Sequence, residues 1–163
     1  MPISTNPNLA SGQQLDDANS TSATIVAPLI LSSATSSTSS IKSSSPTAGI
    51  GYATGAGGAV TQATNRTTGV TLNTICGTIT TNNASLAAEG TADFIVTNST
   101  VAIGDVVAVC MQSGSNSGGT IVCVAIVTAG TFTIRVHNGN VASGTAETGA
   151  ILINFAVIKS VAA

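Results

Sequence analysis

Apolar and polar residues alternate with period two along much of the chain from Gly49 onward, and that alternation is the main signature of half-buried strands. Thr91–Thr97 (TADFIVT) sets Ala92, Phe94 and Val96 on one face. Thr131–Val136 (TFTIRV) sets Phe132, Ile134 and Val136 against Thr131, Thr133 and Arg135. Ile151–Ile158 (ILINFAVI) puts Ile151, Ile153, Phe155 and Val157 on one side. Val70–Thr81 is rich in β-branched residues, and Val106–Gln112 and Thr120–Ala129 are compact apolar runs. Turn signals separate these stretches: Ile103-Gly104-Asp105, the Ser113–Gly119 loop, Ala129-Gly130, and His137–Asn140, whose Asn-Gly favours a hairpin. Spacing of roughly 8–12 residues between turns predicts an all-β domain, an antiparallel β-sandwich or jelly-roll-like barrel. One helical turn is expected at Ser85–Glu89, stopped by Gly90.

The first 48 residues read differently. They lack sustained periodicity and end in Ser32–Ser45 (SSATSSTSSIKSSS), a tract that cannot bury enough apolar area to offset its conformational entropy. The organisation expected is an extended Ser/Thr-rich arm over 1–48 and a β-sandwich domain over 49–163. Fully extended, such an arm reaches on the order of 150 Å. Within it, Ala23–Leu31 (ATIVAPLIL) is apolar. Ile25, Val26, Leu29, Ile30 and Leu31 are therefore the candidate docking residues, able to fill a partner's groove or extend its sheet edge. The other reading is that this segment folds back on its own domain.

Charge changes the picture more than length does. Charged residues make up 6% of the 163 residues, against about a quarter in a typical soluble domain. A net charge of −2 gives copies little mutual repulsion, which fits either a surface covered by partners or a neutral, hydroxyl-rich one. Four scattered basic residues cannot neutralise a run of phosphates, so nucleic acid is not expected as a partner. Ala23–Leu31 is too short to cross roughly 30 Å of hydrocarbon and contains Pro28, so no membrane span is expected. No signal peptide is read in Met1–Asn19, which points to synthesis in a reducing cytoplasm. Cys76, Cys110 and Cys123 are then expected as buried free thiols, with a Cys110–Cys123 pair across adjacent strands left open.

Candidate chemistry is sparse. His137 is the only histidine and sits beside Asn-Gly as a turn residue. Gly49–Gly58 (GIGYATGAGG) lacks the Gly-Lys-Ser/Thr ending of a phosphate loop and reads as a hinge. Of the six acids, only Asp93 and Asp105 flank apolar strands, and they do not suggest a glycosidase pair. Neither a catalytic residue nor a metal or cofactor site is expected.

The stretch Gly51–Thr81 (GYATGAGGAVTQATNRTTGVTLNTICGTITT), followed by ADFIVTNSTVAIGDVVAV and ending in INFAVIKSVAA, resembles a phage virion module. In that module a GxGAGGxVTQxTxxxTGVTLN block precedes an FTVTNS-like strand, and the chain closes with NFAVIK. The resemblance covers residues from about Gly51 to Ala163. It implies a small β domain exposed on a virion. Stand-alone members with an N-terminal arm look like capsid decoration (cement) proteins of tailed bacteriophages. On that resemblance the expected partners are the major capsid protein and further copies of the chain, as a homotrimer on the head exterior. The alternative it leaves is a tail-fibre or receptor-binding module. No catalytic residues come with it.

Overall fold

In the computed structural model of the chain, residues 46–47 and 49–160 are described. The chain divides between Ile50 and Gly51, and the fold below is that of the second unit. It contains eight strands and, among the described residues, no helix: β1 (Gly57–Thr61), β2 (Val70–Thr71), β3 (Cys76–Thr80), β4 (Thr91–Thr97), β5 (Val106–Ser113), β6 (Thr120–Thr128), β7 (Thr131–Asn138) and β8 (Leu152–Ile158). They form two four-stranded sheets with the orders β1-β3-β8-β5 and β2-β4-β7-β6.

The alternating segments bury the faces expected of them. Phe94, Val96, Phe132, Ile134 and Val136 from one sheet meet Ile79, Val107, Ile153, Phe155 and Val157 from the other. Phe132 and Phe155 pack across the sandwich with ring centroids 5.3 Å apart and planes tilted by 51°, an arrangement favoured by the ring quadrupoles.

The all-β sandwich matches the expectation, but its sheets are mixed rather than antiparallel. β1 pairs with β3, and β2 with β4, in parallel. The reason lies in the connections. The chain passes from β1 to β2 to β3 to β4 by switching sheet each time, so each return to a sheet runs in the direction of the earlier strand. The remaining pairs are antiparallel. Among the eight strands, only β6 and β7 are both consecutive and hydrogen-bonded neighbours, joined through Ala129-Gly130, where Gly130 has φ +76°.

Several local expectations change for the same reason. Val70–Thr81 is not one strand; β2 and β3 lie in different sheets. The Asn-Gly at the end of β7 closes no hairpin, because the next strand, β8, belongs to the opposite sheet. The Gly-rich segment is not wholly a hinge. Gly57 and Gly58 open β1, and a Cβ on Gly77 would stand 2.7 Å from the Gly58 carbonyl oxygen, so β3 lies against β1 at a position that requires glycine at 77. Ser85–Glu89 forms no helical turn: Leu86 bridges Glu147 in an isolated antiparallel pair, and Glu89 turns the chain at φ 59°.

Candidate functional site

The candidate docking residues Ile25, Val26, Leu29, Ile30 and Leu31 lie outside the described residues. What the β domain presents to a partner is its two outer sheet faces, its loops and its charged groups.

Apart from Glu89, which is exposed in a turn, the charged groups of the β domain are turned inward or onto one another. Arg66 is 4% exposed and Glu147 is fully buried. The Arg66 guanidinium donates to the carbonyl oxygens of Ala84, Glu147 (3.2 Å) and Gly149 (2.8 Å), and to the Thr81 hydroxyl (3.4 Å). Burial lowers its pKa, opposed by the negative charge of Glu147. The Glu147 carboxylate accepts from the hydroxyls of Ser115 and Thr120 (2.6 Å) and from the N–H groups of Asn116 (3.2 Å), Ser117 (3.2 Å) and Gly149 (2.7 Å). Burial is the largest single influence on this acid and pushes its pKa up. The hydroxyl and amide donors together outweigh it and bring Glu147 down to about 2. A buried carboxylate with five donors is a structural anchor, and it fastens the Ser113–Gly119 loop.

Two other pairs sit at the surface. Arg135 on β7 grips Asp93 on β4 with both forks, at 2.8 and 2.7 Å. Arg135's hydrogen bond lowers the Asp93 pKa. Lys159 bonds Asp105, which also accepts from the N–H groups of Ala102 (2.8 Å) and Ser160 (3.2 Å). The Lys159 contact leads in holding Asp105 below the usual carboxylate range. This pair staples the end of β8 to the turn before β5.

The outer face of the first sheet carries no charge on its strands. Its rows are Gly57–Cys76–Ala156–Ala108 and Ala59–Thr78–Asn154–Cys110, with Thr78 donating to the Asn154 side chain at 2.9 Å. A shallow apolar concavity of about 200 Å³ lies along Ala108, Cys110, Asn154 and Ala156. The outer face of the second sheet holds the Asp93–Arg135 pair with Ile95, which is 53% exposed. Beside it, where β2 is only two residues long, the edge of β4 opens into a concavity of about 410 Å³ lined by Thr67, Gly69, Asp93, Ile95 and Thr133.

His137 lies in β7 rather than in a turn, with its Nδ1 3.1 Å from the Thr91 hydroxyl. All three cysteines are free, but not as buried thiols: Cys76 is half-buried, and Cys110 and Cys123 are exposed on strands of different sheets. They are exposed because both point from outer sheet faces, Cys110 opposite Asn154 and Cys123 opposite Arg135, on strands whose edge position their apolar sequences do not announce. Asn98 is buried, its amide donating to the Thr74 carbonyl at 2.8 Å. Among the described residues, no group of three or more His, Cys, Asp or Glu could hold a metal ion, and no helix is long and apolar enough to cross a membrane. The anchoring roles of Arg66 and Glu147 were missed in the sequence. The available signal was the rarity of charge: in such a chain, an Arg and a Glu in polar loops are conspicuous.

No family model, curated protein or solved structure matches the chain.

Proposed function

We propose that this chain is a structural protein of a tailed-bacteriophage particle. Its role is that of a decoration (cement) protein that binds the assembled head and stiffens it. The observation that carries this reading is the use of charge in the β domain. Arg66 and Glu147 are buried, Asp93 and Asp105 are matched to Arg135 and Lys159, and Ile95, Val106, Met111, Ile121 and Ile126 are exposed. Such a surface offers apolar contact and backbone hydrogen bonds on a neutral background, which suits cover by protein rather than by nucleic acid. The resemblance of Gly51–Ala163 to virion modules supports the same reading.

In this role the protein bridges neighbouring capsid subunits, with the arm residues Ile25, Val26, Leu29, Ile30 and Leu31 docked on the shell and the sandwich as a rigid body between them. Its work is mechanical: each added contact raises the barrier to rupture as packaged genome presses outward. The partners are the major capsid protein and further copies of the chain, as a trimer on the head exterior. Quantitative mass spectrometry of the purified particle tests this. Copy numbers comparable to the major shell protein are expected. A handful of copies would overturn the head assignment in favour of a tail-fibre or receptor-binding module.

A further inference from the structure

One side of the sandwich is built from two edge strands lying together. β5 is outermost in its sheet and β6 is outermost in the other. The Gly114–Gly119 crossing joins them, held by the bonds from Ser115, Asn116 and Ser117 to Glu147. Exposed edges offer unpaired N–H and C=O groups, and soluble proteins usually blunt them with charge, proline, bulges or short length. β5 (VVAVCMQS) and β6 (TIVCVAIVT) have eight and nine residues, with no charged residue and no proline. Each has one bulge, between Met111 and Ser113 and between Val124 and Ile126, which leaves Val106–Met111 and Thr120–Val124 regular. The opposite side needs no such protection, since its edges, β1 and β2, are five and two residues long. Four of the ten exposed large apolar side chains among the described residues stand on these two strands: Val106 is 54% exposed, Met111 40%, Ile121 58% and Ile126 56%.

We propose that the β5/β6 side is the surface by which copies of this chain pack on one another. Charge selects the occupant. A second copy brings the same neutral strands, so no like charges face each other and no charge is left unpaired on burial. A net charge of −2 adds little long-range repulsion between copies. An open ladder of alternating donors and acceptors is moreover complementary to another of its own kind. In a trimer, β5 of one copy would face β6 of the next around the common axis, since pairing of one edge with itself closes as a two-fold dimer. This inference deepens the self-association in the proposed function and is independent of which particle, if any, the chain decorates.

Sedimentation velocity of the full chain over a wide concentration range tests it, with Met111→Lys/Ile126→Lys against Thr61→Lys on the opposite side. Wild type and Thr61→Lys are expected to form the same oligomer, and the double variant to lose it while keeping the wild-type circular dichroism spectrum. A wild type that stays monomeric, or a folded double variant that associates as wild type does, would overturn the proposal. A second readout needs no variant. Alkylation of Cys110 and Cys123 should slow as wild-type concentration rises, and rates independent of concentration would count against the interface. A monomer in solution that still loads onto particles in high copy would sink this interface alone, whereas low copy number would sink only the head assignment.

Discussion

The Arg66 guanidinium donates to the backbone carbonyl of Glu147 at 3.2 Å and forms no ion pair with the Glu147 carboxylate. Two opposite charges are therefore buried at one end of the sandwich, each satisfied by neutral groups. The guanidinium collects carbonyls from Ala84, Glu147 and Gly149, and the carboxylate collects donors from Ser115 to Thr120 and from Gly149. Between them they tie the β1–β2 loop, the strand leading from β3, the β5–β6 crossing and the approach to β8. These connections all switch sheets and lack the short turn of a hairpin, so side chains supply the closure.

Glu147 makes stability depend on acid pH. Its folded pKa of about 2 lies below the ordinary value of 4.5, so the folded state holds the ionised form more strongly than the unfolded chain does. The stabilisation is fully present above about pH 5 and is lost as pH falls through 4.5 towards 2, a change of about 3 kcal/mol. Urea unfolding at a series of pH values should show this decline. Glu147→Gln should be less stable than wild type at neutral pH, and the two curves should converge near the acid end. Parallel curves down to the lowest pH would remove Glu147 as the anchor.

Replacing Arg66 tests the other half. Arg66→Met leaves the Ala84 and Gly149 carbonyls without these donors and deprives Glu147 of the nearby positive charge. The expected loss is roughly 1–3 kcal/mol, the range for leaving a buried polar group without its partner. Arg66→Lys should recover part of it, because an ammonium restores the charge but not the planar fork. Chemical denaturation of the three proteins would measure both steps. A cost within about 0.5 kcal/mol for Arg66→Met would place the site among ordinary surface positions.

Much of the sandwich is legible in the sequence where alternation is clean. β4, β7 and β8 bury the residues that period two assigns to one face, because a slip of one position would turn every one of them to solvent. The edge position of β5 and β6 is not legible: continuous apolar runs read as interior strands, and only tertiary pairing reveals which strand has no further neighbour. Mixed pairing is hidden for a related reason, since Gly- and Asn-containing connections look alike whether they reverse a hairpin or cross between sheets. The anchor at Arg66 and Glu147 escapes because its partners are mainly backbone groups brought together over long sequence separations.

The two outcomes of that patterning should differ sharply under mutation. Phe132 is fully buried against Phe155, whereas Ile95, on neighbouring β4, is 53% exposed. Phe132→Ala is expected to cost about 3–5 kcal/mol through lost transfer energy and the cavity left behind. Ile95→Thr keeps a β-branched residue on an exposed strand face and should change stability by no more than about 0.5 kcal/mol. Thermal and urea melts of the two variants would check the contrast. Equal costs would mean that the outer face of the second sheet is already covered in solution.

The apolar arm segment carries the docking prediction. Burial of side chains such as Ile25, Leu29 and Leu31 is worth roughly 1.5–3 kcal/mol each, part of which is offset by ordering the segment. In the full chain, Ile25→Ser/Leu29→Ser/Leu31→Ser should leave the melting of the β domain unchanged and sharply reduce co-sedimentation with purified heads. Removing Met1–Ser45 altogether should abolish particle binding while the sandwich stays folded, because its core draws on Val70 onward. Both variants are to be compared with wild type at matched salt, since a neutral apolar contact resists screening while an ionic one does not. Full binding by the truncated protein would transfer the docking role to the β domain and leave the arm with none.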